Sequence, residues 1–243
     1  PEDIKEARSL ISTHAGILAK IEKPAAIDHL DEIVRLSDAV MVARGDLGVE
    51  APPEDVPGLQ KLIIQKARMV GKPVIVATQM LESMVMAPTP TRAEASDVAN
   101  AIFEGADAVM LSAETAAGKF PVESVAIMNR IINKVEQDRN YNLHPDISFE
   151  DGSDADAITT AARQVAQSIE ASTIVTFTET GSTTLRASKV RPNVPILALT
   201  PRLDIARQLA LAWGVHPRPL YTSDAADAPP FGDPGAHPIR QKK

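Results

Sequence analysis

Four short apolar runs, each ending in polar or charged residues, constrain the fold of the first half of this chain more than any other feature. The runs cover residues 17–22, 39–46, 74–79 and 108–114. Strands of a parallel barrel are buried on both faces and read as apolar, so polar side chains gather where each strand gives way to its loop. The pattern predicts parallel strands whose ends together form a catalytic rim.

Helix-period segments follow these runs, at residues 26–37, 58–71, 92–105 and 121–140. Strands that alternate with helices pair in parallel through right-handed crossovers. Four such units make about half of an eight-stranded barrel. The predicted fold class is therefore α/β: a partial TIM (β/α)8 barrel of about four βα units, followed by a small, truncated α/β C-terminal domain.

The expected domain organisation has four parts. Residues 1–140 form the C-terminal half of the catalytic barrel, 141–156 a linker, 157–220 an α/β C-terminal domain with a regulatory or assembly role, and 221–243 an irregular tail. The C-terminal domain is predicted to contain helix 157–170, strand 173–177, helix 183–190, strand 195–199 and helix 203–213. Linker and tail are rich in Pro, Gly and Asp and keep no regular period. A helix-like stretch, not a strand, follows Pro1, so we expect the other half of the barrel to precede it.

Composition excludes several classes of protein. The 243 residues are 44% hydrophobic and carry a net charge of −7. No stretch approaches the ~20 apolar residues of a membrane helix, and residues 1–20 do not resemble a targeting signal. No basic stripe is present, which argues against nucleic acid as the main partner. The absence of cysteine excludes disulfides and thiolate metal ligands, and it suits a cytoplasmic protein.

Lys20 and Glu22 are two residues apart at the end of the first predicted strand, so their side chains point to the same face. A cation beside a carboxylate suits phosphate chemistry. Glu22 could hold a divalent cation while Lys20 stabilises an oxyanion or a phosphoryl group in transfer. The alternative is a simple ion pair on a half-exposed strand.

Arg44, Gly45 and Asp46 end the second run. Glycine lets the backbone approach a ligand closely, and Asp46 could give a second carboxylate to the cation at Glu22. Mg²⁺ usually takes one or two carboxylates and completes its shell with water and substrate oxygens. These strand ends predict a Mg²⁺ or Mn²⁺ site, whereas the three residues alone could also form a solvated turn.

Hydroxyl groups close the other two runs. Thr78 could donate to a substrate carboxylate or order a water molecule, and Ser112 with Glu114 could join a proton path or cap the next helix. The segment 89–97 is typical of a polar loop that opens a helix, with a surface ion-pair network as the alternative. These groups complete the predicted rim.

Five motifs, in their order and spacing, resemble those of the pyruvate kinase family. They are AKIE at 19–22, MVARGDLG at 41–48, ATQMLESM at 77–84, PTRAE with SDVAN at 90–100, and LSAET at 111–115. The resemblance is close over residues 1–140 and looser over 157–220. It implies transfer of a phosphoryl group from phosphoenolpyruvate to ADP, which gives pyruvate and ATP in the last step of glycolysis.

The resemblance also implies cofactors and assembly. The family uses Mg²⁺ (or Mn²⁺), and many members use K⁺, whose ligands we do not expect in this chain. A cytoplasmic homotetramer is implied as well. The family's first four barrel strands, its lid domain and most of its nucleotide site would precede Pro1, so this chain is expected to be incomplete for turnover.

By the same resemblance, Glu22 and Asp46 hold Mg²⁺, and Lys20 stabilises charge on the phosphoryl group and the enolate oxygen. Thr78 and Ser112 help to deliver a proton to the enolate through water. Besides Lys20, three kinds of group bind the substrate. They are the backbone of Ala43, Arg44 and Gly45, the carboxylate of Asp46 and the hydroxyl of Thr78.

A hydroxyl-rich turn in the C-terminal domain is a second candidate site. It lies between a predicted strand and helix, where amides and hydroxyls can cradle a phosphate. The family binds sugar-phosphate effectors at the matching loop, and the alternative is plain helix capping. The candidate residues are Thr178, Thr180, Gly181, Ser182 and Thr183.

The sequence is also compatible with two other functions. The chain could belong to another Mg²⁺-dependent barrel that handles phosphoenolpyruvate or pyruvate, such as an aldolase or a phosphotransferase. It could also be a non-catalytic piece that binds a ligand or assembles with other subunits, because half a barrel leaves open strand edges.

Overall fold

The computed structural model describes residues 1–138, 141 and 153–220. After helix α1 (Glu2–Leu10), four parallel strands form one sheet in the order β1-β2-β3-β4. They are β1 (Leu18–Ile21), β2 (Ala39–Ala43), β3 (Val74–Ala77) and β4 (Ala108–Met110). The partial barrel of four βα units predicted from the sequence is confirmed, whereas most of the predicted linker and the whole predicted tail lie outside the described residues.

Helical segments connect and cover these strands. They are a 3-10 turn (Pro24–His29) with α2 (Leu30–Leu36), α3 (Arg44–Glu50) with α4 (Val56–Met69), a 3-10 turn (Glu82–Val85) with α5 (Arg92–Glu104), and α6 (Ala113–Ala116) with α7 (Pro121–Glu136). In the described part of the chain, no helix has the length and apolar character needed to cross a bilayer.

The core lies between the sheet and the long helices. Val42 of β2 and Val76 of β3 are fully buried, as are Ile63 and Ile64 on the inner side of α4. Burying such a side chain contributes roughly 1.5–3 kcal/mol. Continuous apolar strands, rather than alternating ones, are what a sheet covered by helices requires.

Helix α5 follows β3 and has well-defined ends. Thr91 caps its first turn: the Thr91 hydroxyl accepts a hydrogen bond from the Glu94 amide, and the Glu94 carboxylate accepts one from the Thr91 amide. Gly105 ends the helix in the left-handed region, with φ 98°. The segment 89–97 therefore opens a helix, as predicted, and the capping box fixes where that helix starts.

Two predicted strands end at least three residues earlier than the sequence suggested. The second stops at Ala43, and Arg44–Glu50 is the short helix α3 rather than a strand end. The Gly45 amide donates to the Thr78 hydroxyl instead of a strand neighbour, and Leu47 of α3 is fully buried, so both contacts favour the helical course. The fourth strand likewise ends at Met110, before a short helix.

The second α/β unit has its own parallel sheet in the order β5-β6-β7. Its elements are α8 (Asp154–Ser168), β5 (Ile174–Phe177), α9 (Ser182–Lys189), β6 (Ile196–Thr200), α10 (Leu203–Leu209) and β7 (Val215–Pro219). The predicted helices and the first two strands are present, but the sequence did not predict β7. This strand contains Pro217 and Pro219, and proline is confined to edge strands, where its missing N–H costs no ladder bond.

The two units meet at a compact polar contact. Arg191, after α9, donates to the Gly105 carbonyl (2.7 Å) and pairs with Asp107 at 3.1 Å. Asp107 also accepts hydrogen bonds from the amides of Val74 and Trp213. A single buried carboxylate thus joins the start of β3 to the second unit.

Candidate active site

The carboxyl ends of β1, β2 and β3 lie side by side, because the strands are parallel and in register. Ile21 pairs with Val42, and Ala43 with Ala77. The residues that follow each strand therefore meet at one edge of the sheet. This arrangement brings together the predicted residues of the first three runs.

Lys20 lies between two carboxylates. Its Nζ is 2.6 Å from Glu22 Oε2 and 2.6 Å from Asp46 Oδ2. The hydrogen bond to Asp46, followed by that to Glu22, raises the pKa of Lys20 to about 12. The bond from Lys20 in turn lowers the pKa of Asp46. The ion pair considered as the alternative is present, but as a cluster of three charged groups from the end of β1 and the first turn of α3.

The carboxylates of Glu22 and Asp46 lie close together, because both contact the Lys20 ammonium, and both are partly exposed. Within the described ranges, no group of three or more His, Asp or Glu side chains has the spacing of a metal site. Two oxygen ligands are still a donor set that Mg²⁺ accepts, because it takes its remaining ligands from water and substrate. These residues fit a hard divalent cation.

Thr78 and Gln79 follow β3 in an unusual backbone conformation. Both have positive φ, 70° and 54°, and each such non-glycine residue costs about 1–2 kcal/mol. The Thr78 hydroxyl accepts a hydrogen bond from the Gly45 amide (2.8 Å) and donates to the Ala77 carbonyl (2.6 Å). The hydroxyl proton can rotate toward a ligand while the oxygen keeps its bond to Gly45.

The Arg44 side chain is only 10% exposed, and its contacts are with other residues of the protein. Its guanidinium donates to the carbonyls of Thr78 and Gln79 and pairs with Asp97 of α5. Ala43, one of the residues predicted to bind the substrate carboxylate, is the last residue of β2 and is fully buried. The sequence assigned only the backbone of Arg44 to a role, and it did not predict this side-chain contact.

Ser112 and Glu114 have roles that differ from the capping expectation. Ser112 is at the N-cap position of α6, yet its hydroxyl makes no capping bond there. Instead, the carboxylate of Glu114, 3% exposed, accepts hydrogen bonds from the Ser112 and Leu81 amides. Glu114 therefore fixes the loops after β3 and β4, and the Ser112 hydroxyl is not used in that cap.

The loop before α9 combines buried and exposed hydroxyls. Thr178 is buried, and its hydroxyl accepts a bond from the Gly181 amide, which has φ 88°. The Thr178 hydroxyl therefore holds the turn before the helix, which is the structural alternative to a role in phosphate binding. Thr180 and Ser182 are exposed and line a cavity of about 830 Å³ that Arg186 also lines. The exposed Thr183 follows in the first turn of α9.

Two family models match the sequence. One, described as "Pyruvate kinase, barrel domain", covers residues 1–125, and the other, "Pyruvate kinase, alpha/beta domain", covers 156–228. The first takes in the whole rim, and the second takes in the hydroxyl-rich loop. The matches agree with the motif resemblance.

Curated relatives and a solved structure agree with these models. The chain is 60% identical over 218 residues to a pyruvate kinase of Agrobacterium vitis, covering 88% of this chain and 45% of that protein. For a pyruvate kinase of Methylorubrum extorquens the identity is 54% over 229 residues, with 93% and 48% covered. A crystal structure of a pyruvate kinase from Cryptosporidium parvum matches with a TM-score of 0.85 and 39% identity, covering 92% of this chain and 49% of that one. The chain thus spans about half the length of the curated relatives it matches.

Proposed function

This chain belongs to the pyruvate kinase family, and we propose that it supplies the metal- and phosphoenolpyruvate-binding half of an active site that transfers a phosphoryl group to ADP. The observation that carries the proposal is the Lys20 ammonium, 2.6 Å from both Glu22, directly after β1, and Asp46, in the first turn of α3. A cation and two carboxylates at one barrel edge suit the handling of a substrate that carries both phosphate and carboxylate.

Each group has a distinct part in this reaction. Phosphoryl transfer breaks the bond from phosphorus to the enol oxygen and forms one to the terminal phosphate oxygen of ADP, so positioning and charge neutralisation dominate. Lys20 stays protonated and stabilises the negative charge that develops on the enolate oxygen. Mg²⁺, held by Glu22 and Asp46 when bound, supplies Lewis-acid neutralisation of the same charge.

The substrate carboxylate is assigned to the backbone at 43–45 and to the Thr78 hydroxyl, with the Gly45 amide shared between that hydroxyl and the substrate. Rotation of the Thr78 proton away from the Ala77 carbonyl provides a donor, while the Gly45 amide keeps the hydroxyl oxygen in place. Proton delivery to the enolate through water is assigned to Thr78 and Ser112. The K⁺ requirement, the tetramer and the cytoplasmic location stay predictions from the resemblance.

The test uses a fusion protein in which this chain follows the N-terminal half of the 60% identical relative. We expect it to form pyruvate and ATP from phosphoenolpyruvate and ADP in a Mg²⁺-dependent manner. Absence of phosphoryl transfer together with carbon–carbon lyase activity would instead support the aldolase-type alternative. A folded fusion that binds phosphoenolpyruvate without any reaction would support the non-catalytic one.

The hydroxyl-rich loop before α9 is proposed as a phosphate-binding effector site. Its support is the exposure of Thr180 and Ser182 on a cavity with a basic residue, Arg186. Sugar phosphates are titrated against the fusion protein and against its Ser182→Ala variant. Saturable binding that the variant weakens supports the site, and no saturable binding to either protein contradicts it.

A further inference from the structure

The residue that follows β3 needs a backbone conformation that threonine does not favour. Thr78 and the next residue, Gln79, both lie in the left-handed region. Such conformations persist only where the surrounding structure holds them. The hydroxyl of Thr78 is useful to a substrate only while this conformation is kept, so whatever holds the turn also sets the geometry of the site.

The guanidinium of Arg44 contacts this turn at three successive residues. Its Nη2 donates to the Thr78 carbonyl at 2.8 Å and to the Gln79 carbonyl at 3.1 Å, and it lies 3.0 Å from the sulfur of Met80. Its Nε is 3.3 Å from the Thr78 carbonyl as well. These bonds hold the carbonyls in the directions that positive φ gives them.

Asp97 orients the guanidinium from the opposite side. Its two carboxylate oxygens lie 2.7 and 2.6 Å from Arg44 Nη1. Asp97 is on α5, whose first turn is fixed by the capping box at Thr91. The arginine therefore connects the end of β2, the turn after β3 and the helix that follows β3, with most of its side chain out of solvent.

We propose that Arg44 is a positioning residue for phosphoenolpyruvate binding, which acts through Thr78 and is itself oriented by Asp97. This inference rests on the proposed function. Arg44 contributes a backbone group at the rim, but its side chain holds the turn that presents the Thr78 hydroxyl. A planar guanidinium can contact two carbonyls and a carboxylate at once, whereas a lysine ammonium cannot reproduce that fork.

A double-mutant cycle on the fusion protein tests the inference. Arg44→Met and Thr78→Val should each lower kcat/KM for phosphoenolpyruvate by roughly tenfold to a hundredfold, because misplaced substrate groups cost rates of that order. The double variant should lie within about threefold of Thr78→Val alone, since the arginine acts through the threonine. Arg44→Lys should recover only part of the loss.

Arg8 offers a matched control, because it too pairs with an aspartate, Asp38 at 2.7 Å, but lies on α1 away from the rim. Arg8→Met should leave kcat/KM unchanged. Multiplicative losses in the double variant would overturn the inference. If Arg44→Met does not fold, Asp97→Asn replaces it in the same cycle, with the same non-additive result expected.

A crystal structure of Arg44→Met gives a readout that does not depend on activity. We expect Thr78 and Gln79 to leave the left-handed region, or the Thr78 hydroxyl to lose the Gly45 amide. An unchanged turn would contradict the positioning role even in an active enzyme. If the unmodified fusion transfers no phosphoryl group, the proposed function fails, yet this structure still decides whether Arg44 holds the turn.

Discussion

The ammonium of Lys20, on β1, and the carboxylate of Asp46, in the first turn of the helix that follows β2, lie 2.6 Å apart. The hydrogen bond that Lys20 donates to Asp46 is the largest cause of the raised pKa of Lys20, about 12, so the lysine carries its charge at every pH at which the protein would work. Lys20 therefore serves as a fixed positive charge and not as a general acid or base at neutral pH.

Lys20→Met in the fusion protein should lower kcat by about a hundredfold to a thousandfold, the range seen when one charge-stabilising group is removed from an active site. Steady-state assays with saturating Mg²⁺ measure the effect. The exposed neighbour Lys23 provides the control, since Lys23→Met removes the same charge two residues beyond the strand. Equal activity of the Lys20→Met variant and the unmodified fusion would contradict the assigned role.

Gly45→Ala should impair substrate binding through Thr78. A Cβ at Gly45 would lie 3.3 Å from the Thr78 hydroxyl oxygen, closer than usual contacts allow. We expect KM for phosphoenolpyruvate to rise by about tenfold with a smaller change in kcat, because the hydroxyl is displaced from the carboxylate site. Gly58→Ala is the matched control, since a Cβ there meets nothing within 4 Å. A normal KM in Gly45→Ala would show that the turn adapts freely.

The sequence predicted the strands of the first sheet well, because strands covered on both faces read as continuous apolar runs. It placed their ends less well. The turn to helix α3 depends on the bond from Gly45 to Thr78, a residue 33 positions away. β7 escaped prediction because its prolines are typical of loops, and only its edge position next to β6 accommodates them.

The candidate site, like the fold, could be predicted from the sequence only in part. Lys20 and Glu22 could be paired from the sequence, since a two-residue spacing on one strand fixes their common face. The side-chain role of Arg44 could not, because it requires Asp97, 53 residues further along. Contacts between distant residues follow from the packing of β2 against β3 and α5, and no local pattern encodes them.

Asp107→Ala should destabilise the contact between the two α/β units. The Asp107 side chain is 7% exposed and pairs with Arg191, which is 11% exposed. Removing the carboxylate leaves a buried arginine without its counter-charge, which typically costs about 3–5 kcal/mol. Urea unfolding of the fusion protein measures this loss. Asp31→Ala, which breaks an exposed ion pair with Lys66, should cost less than about 1 kcal/mol, and equal losses in the two variants would refute the prediction.

Glu104 should make stability depend on pH. Burial raises its pKa, against the opposing hydrogen bond from Gln60. A carboxyl group with a raised pKa binds its proton more tightly in the folded state, so its contribution is greatest below the unfolded pKa and is lost as pH rises through the folded one. Tm of the unmodified fusion minus that of Glu104→Gln should therefore fall as the pH rises from below the ordinary glutamate pKa toward neutrality. The exposed Glu6→Gln variant is the control, and a difference that rises with pH would show the sign to be wrong.

This chain should self-associate when it is expressed without the other half of the barrel. In the described sheet, β1 pairs only with β2 and β4 only with β3, so each outer strand has one unpaired edge. Unpaired edges beside apolar faces recruit other strands. We expect light scattering to show self-association that increases with concentration, and we expect the fusion protein, whose added strands can pair with both edges, to give a discrete species under the same conditions. A compact monomer of the chain alone would show that its edges are protected by some means other than strand pairing.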